Sequence, residues 1–315
     1  RNGLTMELPK FHETFNPMKT RMKKTLITIS LLTSTLFCFS ADIKKDPSEV
    51  KITYIANEGF LIEVNDKSML IDALFGAQEY NFCDIPNDAQ LEEMRNARGH
   101  FEDIDLVLAT HAHRDHFHAP FVMDHLSKNK KGKFISCEQS IHQITGSDDD
   151  HAVIQSQLVE VTPDSLSFID TMVNGIEVRV FRLNHGPYYE KDPETGKKRN
   201  RHRNVQNLGF LFHLDGIKIF HGGDSSPAWK SEFEHFRLDK ENIDIAFLGR
   251  AFIWNREPER MELLRNHINP SHIVLMHIHH DHNERFIKMA EKIKDAFPSI
   301  KVFEERMETK IYRIK

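Results

Sequence analysis

LATHAHRDHFHAP (108–120) packs four histidines and one aspartate into eight residues, directly after the apolar run DIDLVLAT (103–110). The run reads as a buried strand, so the histidines lie where its apolar character stops. In extended chain, alternate residues such as His111 and His113 point the same way. Asp115 and His116 can then face a second position beyond a tight turn. The following APFVMDHLSKN (119–129) reads as a helix with Pro120 in its first turn.

Other polar candidates are placed in the same manner. VFRLN leads to His185, IKIFHGG to Asp224 and HIVLM to His277. Strand ends gather along one edge of a sheet, so distant segments can converge there. His277 ends its apolar run directly and is taken ahead of the nearby His279, His280 and His282. The set is imidazole and carboxylate without thiolate, which suits Zn²⁺ first and Mn²⁺ or Fe²⁺ next. His118 and His221 read as packing or supporting residues. The acidic run SDDD (147–150) lacks the spaced ligands of a calcium loop and reads as a solvated helix start.

Composition agrees with a globular protein. The 315 residues are 39% hydrophobic, enough for one large core, and the net charge of -5 gives no reason to expect nucleic-acid or membrane-surface binding. Residues 19–41 have the layout of a secretory leader: basic Lys19, Arg21, Lys23 and Lys24, an apolar stretch from Thr25 to Phe39, then small Ser40 and Ala41. The expected organisation is an upstream segment at 1–17, a signal peptide at 18–41 and one domain at 48–315, with the mature protein exported, periplasmic or secreted. Only Cys83 and Cys137 follow the leader, and no CxxC is present, which leaves cysteine-based zinc binding unsupported.

Within the domain, KITYIA, FLIEV and SMLIDALF read as strands separated by the turn-like NEG and NDK. AQLEEMRNA reads as a helix closed by Gly99. KFISC is a strand, residues 138–158 are helical, and GIEVRVFRLNHG alternates as a half-buried strand does. NLGFLFHLDGIKIFHGGD (207–224) reads as a hairpin turning at Asp215-Gly216. DIAFLG, HIVLMH and KIYRIK supply further strands, with helices near 226–236, 256–267 and 283–296. The class is α/β, layered, with helices outside.

HAHRDH (111–116) is the HxHxDH signature of metallo-β-lactamase-fold hydrolases, and the chain resembles that family over almost everything after the leader. KITYIANEGFLIEVNDKSMLIDALF is similar to its opening strands, with Asp72 at the aspartate that ends the third. LNHGP is similar to its third-histidine segment and IVLMH to its last-histidine strand. The resemblance implies a four-layer αββα sandwich with two metals, two Zn²⁺ per chain or Mn²⁺ or Fe²⁺ in their place. It implies that His111, His113 and His185 hold one metal, that Asp115, His116 and His277 hold the other, and that Asp224 bridges them. A shared water acidified by two such ions would be the nucleophile, with Asp115 as the catalytic residue that orients it or handles its proton. Asp72 and His221 would orient ligands.

The bridging aspartate separates the chain from the best-known β-lactamases of this fold and resembles the phosphodiesterase, lactonase and thioesterase branches. The family opening often carries Gly-His-Ala where this chain has Ala56-Asn57-Glu58. The expected activity is hydrolysis of a phosphodiester, lactone or related ester in a small-molecule substrate. An iron-dependent, sulfur-dioxygenase-like oxidoreductase, a β-lactamase and a non-catalytic metal binder are the competing classes; diiron relatives tend to carry Glu where this chain has His113. Residues 186–206 form a long excursion after His185, with Lys197, Lys198 and Arg199 as candidates for an anionic substrate. Tyr188 and Tyr189 are candidates to line the pocket, against the plainer reading of a solvated loop.

Overall fold

The computed structural model describes residues 48–78, 80, 82–146 and 151–314. The leader at 18–41 and the SDDD run at 147–150 lie outside the described residues.

Two seven-stranded sheets form the centre of the domain. The first comprises β1 (Ser48–Ala56), β2 (Gly59–Val64), β3 (Lys67–Ile71), β4 (Leu106–Leu108), β5 (Lys133–Ser136) and β6 (Leu158–Glu160). The chain then enters the second sheet through β7 (Phe168–Val173) and β8 (Ile176–Arg182), leaves it for the hairpin of β9 (Tyr189–Lys191) and β10 (Lys198–Asn200), and returns. The rest of the second sheet is β11 (Leu208–Leu214), β12 (Ile217–His221), β13 (Ile245–Gly249), β14 (His272–Met276) and β15 (Ile300–Val302). The last strand, β16 (Thr309–Ile314), crosses back to pair with β1.

Each sheet is antiparallel at one side and parallel at the other. β3, β4, β5 and β6 run parallel, as do β12, β13, β14 and β15. Parallel neighbours need crossovers, and these supply the helices. On the first sheet they are α1 (Asp88–Arg95), α2 (Ala119–Lys128) and α3 (Glu138–Thr145); on the second, α4 (Lys230–Phe236), α5 (Pro258–Leu263) and α6 (Asn283–Glu291).

Three apolar clusters match the four layers. The central one joins inward residues of both sheets, among them Ile52, Phe60, Met69, Phe210, Phe212, Phe247 and Val274. The ring centroids of Phe60 and Phe247 lie 4.7 Å apart, linking the sheets directly. The outer clusters bury Leu70, Val107 and Phe134 under α2 and α3, and Phe220, Leu248 and Leu275 under α5 and α6. This is the αββα sandwich that the motif implied. Burying such side chains is the dominant favourable contribution, at roughly 1.5–3 kcal/mol each.

Two local readings are corrected, and one open point is answered. The first helix ends at Asn96, which donates its backbone N–H to Glu92 and Met94, and Gly99 instead opens a separate 3₁₀ turn. The excursion after His185 is folded, with Arg199 paired to Glu190 and Asn200 to Tyr189. Cys83 and Cys137 are both buried and unpaired with each other. Among the described residues, no helix is long and apolar enough to cross a membrane.

Candidate metal centre

The loop after β4 is held from beneath by Asp72, at the end of β3. Asp72 has a left-handed φ of 46°, which aspartate tolerates, and its carboxylate turns toward the loop. Its Oδ1 accepts the backbone N–H of Thr110 at 2.7 Å and its Oδ2 accepts the Thr110 hydroxyl at 2.7 Å. The same Oδ2 accepts Nδ1–H of His116 at 3.0 Å. The Thr110 hydroxyl in turn accepts Nδ1–H of His111 at 3.0 Å. Both rings are thereby fixed with Nδ1–H engaged and Nε2, the atom that would bind a cation, turned to the cluster.

Seven residues named from the sequence converge here in two groups. His111, His113, His185 and Asp224 form the first, and Asp115, His116 and His277 the second. In the first group Nδ1 of His113 lies 2.9 Å from Nε2 of His111 and 3.2 Å from Nε2 of His185. Nε2 of His185 is 2.9 Å from Oδ2 of Asp224. Its Nδ1–H donates to the carbonyl of Gly186 at 2.9 Å, leaving Nε2 to face the cluster. In the second group Oδ2 of Asp115 is 3.5 Å from Nε2 of His116 and 3.9 Å from Nε2 of His277. Oδ1 of Asp224 is 3.7 Å from Nε2 of His116 and 3.6 Å from Nε2 of His277. The two carboxylate oxygens of Asp224 therefore face different groups.

The backbone makes this convergence possible. Gly223, at φ +53°, sits where a Cβ would lie 2.7 Å from Oδ1 of Asn207 and 2.8 Å from Cβ of Thr110. Only glycine lets the end of β12 come so close to the loop after β4. Asn207 then accepts the backbone N–H of Asp224 at 3.1 Å, and Gly186 donates to the Asp224 carbonyl at 2.7 Å. His277 adopts a left-handed φ of 60°, unfavourable for histidine by about 1–2 kcal/mol. Its N–H donates to the Asn57 carbonyl at 3.1 Å, which holds it there.

Burial and neighbouring charge divide the histidines. Burial, then His116, holds the pKa of His111 well below its ordinary value. Burial, then His185, brings His113 down to about 4. Burial also opposes charge on His116, but Asp115, Asp224 and Asp72 together hold its pKa well above the ordinary value. Burial likewise acts against ionised Asp224, and His277, His116 and His185 overcome it, keeping Asp224 an anion. His111 and His113 are thus neutral imidazoles beside an ionised Asp224, the donors a divalent cation requires, while on His116 a cation would take the place of the Nε2 proton.

An independent test of cation binding comes from atoms left without partners. Nε2 of His116 and both carboxylate oxygens of Glu58 are buried and have no hydrogen-bond partner. Leaving such atoms unsatisfied is costly, and a cation in the second group would satisfy Nε2 of His116. The residues present fit the metals that the motif implies.

The remaining candidates separate. His221 is buried; its Nε2–H donates to the Glu58 carbonyl at 3.3 Å and its Nδ1 accepts from Gly223 at 3.2 Å, so it meets the backbone of the turn and of the loop after β12. His118 sits at the start of α2 with its ring against Phe121. Tyr189, Lys197, Lys198 and Arg199 are carried outward on the β9–β10 hairpin and are exposed. Tyr188 is half exposed and lies 5.6 Å from the ring of His202. His202, which the sequence reading passed over, is the residue of the excursion that reaches the cluster. Its ring is 4.0 Å from that of His185 and 5.0 Å from that of His113.

Three more residues were missed. Asn57 donates to the Asp115 carbonyl at 3.1 Å. Arg250 places Nη1 2.6 Å from Nδ1 of His277 and also donates to the His277 carbonyl. Glu58 is fully buried, and burial followed by repulsion from Asp224 pushes its pKa well up. A cavity of about 170 Å³ opens beside the second group, lined by Glu58, His185, Asp224, Ser226, Arg250 and His277. The one available sequence signal was Asn57-Glu58 standing in place of the family's Gly-His-Ala opening.

Residues 51–277 match the family model described as a Beta-lactamase superfamily domain. The chain belongs to the metallo-β-lactamase-fold metal-dependent hydrolase superfamily. A curated superfamily relative, a metal-dependent hydrolase of Pyrococcus furiosus, is 25% identical over 239 residues, covering 72% of this chain and 84% of that one. Among solved structures, a metallo hydrolase of Ignicoccus hospitalis shares the fold at 19% identity and a TM-score of 0.54, covering 85% of this chain and 100% of that chain. A diiron β-hydroxylase of Streptomyces venezuelae shares it at 12% identity and a TM-score of 0.50, covering 86% of this chain and 55% of that chain. At those identities the solved structures speak for the fold alone.

Proposed function

We propose that this protein is a binuclear metal-dependent hydrolase of a phosphodiester, lactone or related ester. The observation that carries the reading is Asp224, whose Oδ2 faces the His111–His113–His185 group while its Oδ1 faces His116 and His277. One carboxylate shared between two ligand groups is the arrangement of a two-metal centre. Bound there, two divalent cations supply Lewis acidity and make water acidic enough to act as a nucleophile near neutral pH.

The chain's own residues do the rest. His111, His113 and His185 with Asp224 would hold one cation, and Asp115, His116 and His277 with Asp224 the other. Zinc suits the imidazole-rich first position. Asp72 fixes the ring orientation of one ligand in each group, through Thr110 for His111 and directly for His116. Asp115, held by Asn57, is placed to orient the attacking water and accept its proton. Arg250 lines the cavity beside His277 and offers a cation to a substrate's anionic group.

Elemental analysis of the reconstituted protein should give close to two metals per chain. A panel of chromogenic phosphodiester, lactone, thioester and β-lactam substrates should then show turnover with an ester class and none with β-lactams. One metal or fewer per chain, or oxygen consumption by iron-loaded protein without hydrolysis of any ester, would overturn the reading.

A further inference from the structure

We propose that Glu58 is an additional carboxylate ligand of the second metal position and makes that position prefer a harder cation, Mn²⁺ or Fe²⁺, relative to the first. The inference rests on the two-metal reading above and concerns a residue outside its seven ligands.

Glu58 occupies the turn between β1 and β2, where a charged side chain is ordinarily solvated. Here it is fully buried, and neither carboxylate oxygen has a hydrogen-bond partner. A buried carboxyl group that meets no donor must either keep a proton, which Asp224 can accept, or meet a cation. The nearby groups with full charge are Asp224, His116 and Asp72 of the centre and the Arg250 guanidinium, which lines the same cavity. Oε2 lies 3.8 Å from Nδ1 of His116, and a Glu58 oxygen lies within 4.8 Å of ligand atoms of both Asp224 and His277. On its other side is Gly249, where even a Cβ would lie 3.9 Å from Oε1 and could not donate a hydrogen bond.

The turn itself directs the side chain inward. Gly59 has no room for a Cβ, which would lie 2.8 Å from the Asp72 carbonyl, so the turn packs tightly against the strand that carries Asp72. Asn57 binds Asp115 with its side chain and His277 with its carbonyl. His221 holds the Glu58 carbonyl. Asn57 and Glu58 thus approach the second ligand group from the turn, and Glu58 lines the cavity beside it.

The chemistry separates the two positions. The first is three imidazoles and one carboxylate. Glu58 groups with Asp224 and His277, so adding it to Asp115, His116 and His277 would make the second position two imidazoles and three carboxylates. Oxygen-rich sites favour manganese and ferrous iron relative to nitrogen-rich ones, which favour zinc.

The test is metal binding by the full chain, read without reference to any substrate. Apo protein is titrated with Mn²⁺, followed by the loss of its free-ion electron paramagnetic resonance signal, and separately with Zn²⁺ by calorimetry. The wild type should take up two ions, one manganese tightly. Glu58→Gln should weaken that manganese tenfold or more while zinc at the first position is unchanged, which also shows that the variant is folded. Should the amide unfold the chain, Glu58→Asp, with the carboxylate withdrawn by one methylene, should weaken manganese in the same sense. Wild-type manganese binding in folded Glu58→Gln would overturn the Glu58 assignment and leave the two-metal reading standing, because a protonated Glu58 donating to Asp224 would be mimicked by glutamine. A wild type that binds one ion or none would overturn the two-metal reading and this inference with it.

Discussion

The carboxylate of Asp72 accepts Nδ1–H of His116 at 3.0 Å and the Thr110 hydroxyl at 2.7 Å, so one side chain governs a histidine in each ligand group. Asp72→Asn keeps the size and removes the charge, and an amide at Oδ2 would face N–H and O–H donors with a donor of its own. Both groups should loosen. Metal affinity should fall about 10–100-fold, the usual cost of removing a partner behind a ligand histidine. Calorimetric zinc titration checks this; an unchanged isotherm would reduce Asp72 to a turn residue.

Asp224 belongs to both groups, and its loss should exceed that of any supporting residue. Asp224→Ala should lower metal content from two per chain toward one or none and lower kcat/KM by more than about a hundredfold. Retention of two metals with full turnover would show that Asp224 does not bridge.

Gly223 tests whether close approach builds the centre. Gly223→Ala imposes the left-handed φ on a residue with a Cβ and drives that Cβ against Asn207 and Thr110. The expected destabilisation is about 2–3 kcal/mol in a urea melt, from conformational strain and overpacking together. Metal content should fall as well, since Asn207 holds the backbone of Asp224.

His221 gives the metal-free protein a pH signature. Burial lowers its pKa from 6.5 to about 4 in the folded chain. Between those values the unfolded chain binds a proton that the folded chain refuses, so stability falls as pH drops through the window. The slope from this one group is at most about 1.4 kcal/mol per pH unit. His221→Gln removes the titration, and the fall in Tm between pH 6.5 and 4.5 should be shallower than in the wild type, with EDTA present in both. Equal slopes would show that His221 titrates normally.

The β9–β10 hairpin separates two kinds of residue. Replacing Lys197, Lys198 and Arg199 by alanine should leave metal content intact and change stability by less than about 0.5 kcal/mol, as at other exposed sites. His202→Ala, beside His185, should raise KM several-fold while both metals remain. A larger rise in the triple variant would place substrate recognition on the basic tip.

Elements and their ends were legible in the sequence because they are local. The strand periodicity, the Asp215-Gly216 turn and the four histidines after Leu108 follow from nearby residues alone, and so did most of the candidates that converge. Packing decided the rest. Whether Glu58 in the turn NEG faces water or the interior depends on how β2 and β13 approach across the sandwich, since a charged turn residue looks the same in sequence either way. Arg250 and His202 reach the centre from other elements, at no fixed spacing from the motif. Gly99 illustrates the converse, since Asn96 satisfied the end of α1 first. Sequence determined which side chains stand at strand ends; the tertiary structure decided which became buried together, because burial is a property of two surfaces meeting and neither surface is written in the other.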